Sequence, residues 1–447
     1  MRVLVAAMPF AGHAAPMRAI ARTLLDRGHE VVAYTGARYG DGFVQAGAHL
    51  VTWQHAPDFD ERELSATFPH VTDGRGLRAV TANLEHVFIR TGEGQARDIL
   101  QAGAFDVLVS DQLALGSALA AELTGTPVAS VALSPLTLPS RDLPPQGMAL
   151  LPMHGVTGRL RDAVLRKVSG AALGRLDRVL REVRAALGLP ATRVGALDAF
   201  YSALLVVAHG VPELEYPRSD LPPQVHFVGQ LAAPPAGAAV PGWWDDVTGS
   251  DRRVVHVTQG TYDVDPRDLL LPSLEGLSSL DVHVLAATGG AALPEEALPA
   301  NAHQAPFLPY DRLLPRTSVT VTNGGWGGVL ASLAAGVPLV VAGGTLDKPE
   351  IARRVAWSGA GVDLRTGRPS PRQVRDAVER ILGDPSYAAS ATDIGASLAR
   401  HGGAIAAAEL VERLAASGRP VLRTSDPWCG AEAGRFELPM GLRPKPH

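Results

Sequence analysis

Short apolar runs recur along the chain, each followed by a glycine-rich or polar turn and then by apolar residues three and four apart. The first run, residues 3–7, is apolar throughout, the mark of a strand covered on both faces in a parallel sheet. Phe10-Ala11-Gly12-His13 reads as the turn after it. Pro16 then falls in the first turn of a helix, with Ile20, Leu24 and Leu25 on its buried side and Gly28 at its end. Residues 29–34 make the next strand and complete a βαβ unit, whose crossover is right-handed in nearly every known case. The pattern returns as a strand at 107–111, a helix at 115–123 and a strand at 128–131. Residues 53–97 carry mixed signals. Residues 158–189 are amphipathic and rich in Arg, and read as a solvated helix pair packed on this half, with a membrane-surface helix as the lesser alternative. Residues 205–208 are a further strand.

Pro, Gly and Ala then crowd the stretch 212–244, and its later part reads as a linker. Beyond it the alternation restarts, with strands at 254–258, 283–287, 318–322 and 339–341. Helices are expected at 269–277, 326–335, 350–357, 373–382 and 403–416. The expected organisation is an α/β chain of two doubly wound Rossmann-like domains, 1–225 and 251–420, joined by a linker at 226–250. A Pro- and Gly-rich tail, 421–447, lies over the surface or is poorly ordered. Ligands of such sheets sit at the carboxyl ends of the strands, so the cleft between the two halves is the expected site.

Composition narrows the function. The chain has 447 residues, with 41 Lys and Arg against 45 Asp and Glu. This balance argues against a broad nucleic-acid footprint. Cys429 is the single cysteine, which forbids an internal disulfide and suits a reducing, cytoplasmic setting. No apolar stretch reaches the roughly 18 residues of a membrane span. The apolar start runs straight into a turn and a helix, so it reads as structure and not as a cleavable signal.

Asn323-Gly324-Gly325-Trp326-Gly327-Gly328 follows a strand and opens a helix. Such a turn lets backbone N–H groups approach an anion, and the helix end adds about half a positive charge. It reads as a diphosphate cradle, with a packing turn as the alternative. The fingerprints of the common NAD and ATP sites are absent. Thr258-Gln259-Gly260-Thr261 offers a hydroxyl and a glycine at another strand end. His13, at a helix start, has Asp111 as its natural partner at the end of a neighbouring strand. The carboxylate outweighs the helix dipole and leaves a base poised near neutral pH, while a capping or core histidine is the plain alternative. Asp58-Phe59-Asp60 and Asp263-Val264-Asp265 match an Asp-x-Asp metal pattern but read as turn and surface carboxylates.

Together these pieces resemble the inverting family 1, UDP-glycosyltransferase-like enzymes of the GT-B fold, most of all the bacterial natural-product and macrolide type. The matching stretch is His303 to Val355, and its core is Phe307-Leu308-Pro309-Tyr310, Leu313-Leu314-Pro315, Thr322 to Gly328, Gly336-Val337-Pro338 and Asp347-Lys348. Ala287-Thr288-Gly289-Gly290, Gly12-His13, the strand ending at Asp111 and Leu187-Gly188-Leu189-Pro190 fit as well. The resemblance implies that His13 deprotonates an acceptor hydroxyl and that Asp111 orients and balances it. It implies that Phe307 stacks on the nucleobase, that Leu308 offers its backbone, and that Thr261 with Asn323, Gly324, Gly325, Gly327 and Gly328 holds the diphosphate. Asp347 would bind the donor sugar, with Lys348 beside it. The last helix would pack back on the first half.

Four positions depart from the family pattern. Asn323 stands for His, Gly328 for Ser or Thr, Ala331 for the ribose-binding Glu and Lys348 for Gln. The absent Glu fits a dTDP-sugar as well as a different ribose contact in a UDP-sugar. The resemblance implies a hexosyltransferase without metal or other cofactor, with a nucleotide-sugar donor, acting as a monomer or homodimer. Phe59, Leu64, Phe68, Leu84, Val87, Phe88, Leu136, Leu138, Met148, Leu150 and Met153 suit a lipophilic acceptor such as a polyketide, macrolide or aromatic aglycone. A catalytically silent homologue that binds a ligand or assists a partner enzyme is the alternative. A nucleotide-sugar epimerase of like architecture is the more remote one.

Overall fold

Five apolar runs pair side by side in the first half, flanked by two short edge strands, because an apolar run can hide both faces only inside a sheet layered by helices. The computed structural model describes residues 1–71, 77–153, 155–233, 239–260, 265–290 and 293–428. The strands are β1 (Arg2–Ala6), β2 (Glu30–Thr35), β3 (His49–Thr52), β4 (Val107–Asp111), β5 (Val128–Ala132), β6 (Leu205–Ala208) and β7 (Val225–Phe227). They lie parallel in the order β3-β2-β1-β4-β5-β6-β7. The second sheet holds β8 (Arg253–Thr258), β9 (Val282–Ala287), β10 (Ala302–Ala305), β11 (Thr317–Thr322), β12 (Leu339–Val341) and β13 (Gly361–Asp363). Its order is β10-β9-β8-β11-β12-β13, again parallel. Both sheets reverse their winding at one place, between β1 and β4 and between β8 and β11. A crevice opens at such a switch point.

Alternate residues of β1 feed two cores. Val3 and Val5 pack with Ile20 and Leu24 of the helix Ala11–Asp26. Leu4 and Ala6 face Leu115, Leu176, Val179 and Val183 on the other side. A fully buried Leu or Ile contributes about 1.5–3 kcal/mol, so this two-sided filling anchors the strand end that leads to His13. In the second half, Val255, Val257, Val319 and Val321 pack under the helices Leu270–Leu277 and Pro371–Gly383. Leu339 and Val341 face Trp326, Leu330 and Ile351.

Several expectations change. Pro16 is the sixth residue of its helix, not part of the first turn, because the helix already begins at Ala11. The Arg-rich stretch is one helix, Gly155–Ala186, and not a pair; it runs through Gly170 and Gly174. The helix Ser386–Arg400 was not foreseen. The sheet takes in residues up to Phe227, inside the span assigned to the linker.

The expected domain at 251–420 does not keep its last helix. Gly403–Ser417 crosses back onto the first half, where Ala407, Val411 and Leu414 join the core with Val3 and Leu24. Arg27 donates to Glu412 through Nε and Nη2 at 2.8 and 2.7 Å, and His29 Nε2 meets the same carboxylate at 2.7 Å. Residues 421–428 follow it: Val421 N donates to the carbonyl of Leu204 at 2.9 Å, and the Trp428 indole to that of Pro212 at 3.3 Å. The two chain crossings between the halves touch. Gly403 N donates to Val228 O at 2.6 Å, and a Cβ on Gly229 would lie 2.4 Å from Leu398 O. Gly229, Gly402 and Gly403 all hold positive φ there, at 76°, 78° and 57°.

Candidate active site

β1 and β4 are neighbours, so the turn after one meets the end of the other. His13, third residue of its helix, places Nδ1 2.7 Å from Oδ2 of Asp111. Asp111 is fully buried and also accepts from Met8 N and Leu113 N, each at 3.0 Å. A carboxylate held this way accepts only, so Nδ1 carries the proton and Nε2 keeps its lone pair. The imidazole retains 23% of its side-chain exposure. Burial is the largest single influence and lowers its pKa, but the charge and hydrogen bond of Asp111, with the charges of Asp347 and Glu61, together outweigh it, so the pKa stands above the ordinary 6.5.

Glu61 carried no sequence signal. Its carboxylate accepts from Ala11 N at 3.1 Å and from the Tyr39 hydroxyl, which caps the start of the His13 helix. In sequence Phe10 likewise reads only as part of a turn. Its ring stands 5.5 Å from His13, 5.3 Å from Phe59 and 5.9 Å from Phe88. An apolar ring at a turn otherwise made of small residues was the available clue. Phe88 lies on a turn of π-helix, Leu84–Ile89, a local widening common at functional sites. Of the expected apolar lining, Phe59, Leu64, Phe68 and Val87 close into the core, and Leu136 and Leu138 enter a separate cluster. Leu84, Phe88, Met148 and Leu150 are half-buried, and Met153 is exposed.

On the second half, the turns after β8 and β11 stand side by side, with Thr258 opposite Thr322. Gly260 and Gly324 hold positive φ, at 76° and 92°, and a Cβ on Gly324 would press to 2.9 Å from Val341 Cγ1. Packing therefore requires Gly324. Gly325, Gly327 and Gly328 differ: a Cβ on any of them would meet nothing within 4 Å. Their missing side chains leave the start of the helix Trp326–Ala334 bare, without a side-chain cap. Unsatisfied N–H groups and the helix dipole there make an anion seat. Asn323 is buried, and its side-chain amide donates to the carbonyl of Gln259. Ala331 is buried and brings no carboxylate. Thr261, and with it Asp263, lies outside the described residues.

Phe307 projects its ring, 57% exposed, beside the buried Leu308. Leu346 holds φ at 53°, a costly value for a side-chain-bearing residue, and the next residue is Asp347. Asp347 is exposed and its charge reaches His13 across the cleft; Lys348 is buried at the start of the helix Lys348–Trp357. The Trp326 indole donates to the His209 carbonyl at 2.7 Å, a direct bond between the halves. The structure thus gathers His13, Asp111, Asp347 and Lys348 at one cleft.

The family described as erythromycin biosynthesis protein CIII-like, C-terminal domain, matches residues 272–416. The chain is 40% identical over 419 residues to 4'-demethylrebeccamycin synthase of Lentzea aerocolonigenes, which covers 92% of this chain and 99% of that one. It is 33% identical over 426 residues to UDP-glucosyltransferase 1 of Beauveria bassiana, covering 87% and 89% of the two chains. Among solved structures, the calicheamicin glycosyltransferase CalG4 shares the fold at a TM-score of 0.72, across 94% of this chain and 99% of that one, with 21% identity.

Proposed function

Because the chain belongs to the family 1, UDP-glycosyltransferase-like glycosyltransferases of the GT-B fold, of the bacterial natural-product type, we propose that it moves a hexose from a UDP- or dTDP-sugar to a hydroxyl of a lipophilic small molecule, with inversion. The observation that carries this reading is the His13 imidazole, locked through Nδ1 by Asp111 and open at Nε2, set across the cleft from Asp347 and the bare helix start.

In the proposed step Nε2 takes the proton of the acceptor hydroxyl. The acceptor oxygen bonds to the anomeric carbon from one side as the bond to the nucleotide diphosphate breaks on the other. The leaving diphosphate is met by backbone N–H groups at Gly325, Gly327 and Gly328 and by the helix dipole, fixed before the reaction begins. The proposed step needs neither a metal nor a covalent nucleophile. Asp111, bonded to Nδ1, balances the charge of the imidazolium. Asp347 would hold sugar hydroxyls, Phe307 the base and Thr261 the diphosphate. Phe10 beside His13, with Phe88 next to Phe10, suits an apolar acceptor, and the buried Ala331 favours dTDP over UDP.

One experiment tests base and donor together. Wild type and His13→Ala are heated with UDP or dTDP, and turnover is then measured with a dTDP- and a UDP-sugar. Nucleotide at 100 times its dissociation constant should stabilise both proteins by about 2.7 kcal/mol. dTDP should shift them at lower concentration than UDP. His13→Ala should lose about 10²–10⁴ in rate. Normal turnover by the variant removes His13 from the mechanism. No shift with either nucleotide turns the reading towards a homologue that binds a ligand without transferring sugar.

A further inference from the structure

The helix Lys348–Trp357 starts at the cleft with Asp347 and Lys348, and within its first two turns Glu350, Arg353 and Arg354 reach the first half. Glu350 Oε1 accepts from Gly147 N at 2.9 Å and Ala149 N at 2.8 Å. Its other oxygen accepts from Arg354 Nη1 at 2.8 Å. Arg354 is fully buried. Its Nη2 donates to Gln146 Oε1 at 3.1 Å and its Nε to Glu215 Oε2 at 3.3 Å, with the guanidinium 4.7 Å from the centre of the Tyr216 ring. Glu215 Oε1 in turn accepts from Leu136 N at 2.6 Å. Arg353 Nε donates to Ala149 O at 2.9 Å.

Every one of these partners on the first half lies either in the segment 136–153, which leaves the carboxyl end of β5, or at Glu215–Tyr216. Gly147 and Ala149 hold φ at 87° and 50°. For Ala149 that left-handed value is unfavourable and needs support from outside. Two backbone N–H groups turned onto one carboxylate are the arrangement that supplies it. Buried ionic groups of this kind add little net stability compared with apolar packing, but they fix one arrangement.

We propose that Glu350 and Arg354 are positioning residues: from the donor half they hold residues 146–149 of the acceptor-side loop, so the shape of the acceptor site depends on the helix that carries Asp347 and Lys348. This rests on the reading of the first half as acceptor site. In sequence the pair looks like an ordinary surface Glu and Arg four apart.

The test is Glu350→Gln in the full chain, with three readouts: nucleotide dissociation constant, acceptor KM against kcat, and amide exchange at Gly147 and Ala149. The expected result is a nucleotide constant within about twofold of wild type and an acceptor KM raised about tenfold, the worth of one charge-assisted hydrogen bond. Exchange at the two amides should be faster. Adding Ala149→Gly should recover much of the KM, because glycine adopts the left-handed turn without the carboxylate. Unchanged KM and unchanged exchange overturn the proposal. So does a joint loss of nucleotide and acceptor binding that Ala149→Gly fails to restore, which marks a merely structural pair. Failure of the transferase reading shows separately, as wild type that transfers no sugar, and amide exchange still decides whether the clamp holds the loop.

Discussion

At His13 one shifted pKa acts on turnover and stability in opposite directions. A base must be neutral to accept a proton, so kcat/KM should rise with pH along an acidic limb whose midpoint lies above 6.5. The same raised value stabilises the folded chain fully below the unfolded pKa, and that contribution fades as pH rises through the folded one. Asp111→Asn removes the largest upward push, so the acidic limb should move to lower pH while the rate falls by about 10²-fold or more. A limb that stays in place in the variant would show that another group titrates there. The His13–Asp111 pair was legible in the sequence because both ends are marked: a Gly-His turn after one apolar run and an Asp closing another. Glu61 was not legible. It sits in Asp60-Glu61-Arg62-Glu63, a run that reads as solvated surface, and only the fold turns it onto the amide of Ala11.

Among the elements, the glycine turn after β11 separates two uses of one residue type. Gly324→Ala collides with Val341 and forces a positive φ, so it should lower Tm. Gly327→Ala meets open space within a helix, so it should raise stability by about 0.5–1 kcal/mol. It should nevertheless weaken nucleotide binding, since the new methyl stands where the diphosphate would lie. Thermal melts with and without nucleotide check both. A Gly327→Ala protein that binds nucleotide normally would move the anion seat elsewhere. The central strands were legible from their apolar runs. The four that were missed, β3, β7, β10 and β13, are the sheet edges. An edge strand is short and carries polar residues, as His303 and Gln304 in β10 show, so the apolar signal thins where one side of the strand lacks a neighbour.

Across the whole molecule, the last helix belongs in space to the half it does not belong to in sequence. The sequence places a helix at 403–416 without saying what its buried Val411 and Leu414 pack against; the return to the first half was expected only from the family resemblance. Val411→Asp buries an unpaired charge among Val3, Ile20 and Leu24 and should lower the melting of the first half by several degrees. Loss of the partly exposed Glu412 should cost under about 1 kcal/mol. Calorimetry of the two variants compares them; equal effects would mean that the ion pairs and not the core hold this helix. The two crossings touch at Val228–Gly229 and Leu398–Gly403, like the pin of a pair of jaws, and the bonds of Trp326 to His209 and of Glu350 to Gly147 and Ala149 are catches that hold the jaws at their present gape. An opening that released those catches would pivot at the crossings. A small twist at the three left-handed glycines, Gly229, Gly402 and Gly403, would then be levered into a larger travel at the bite, where His13 and Asp347 face one another.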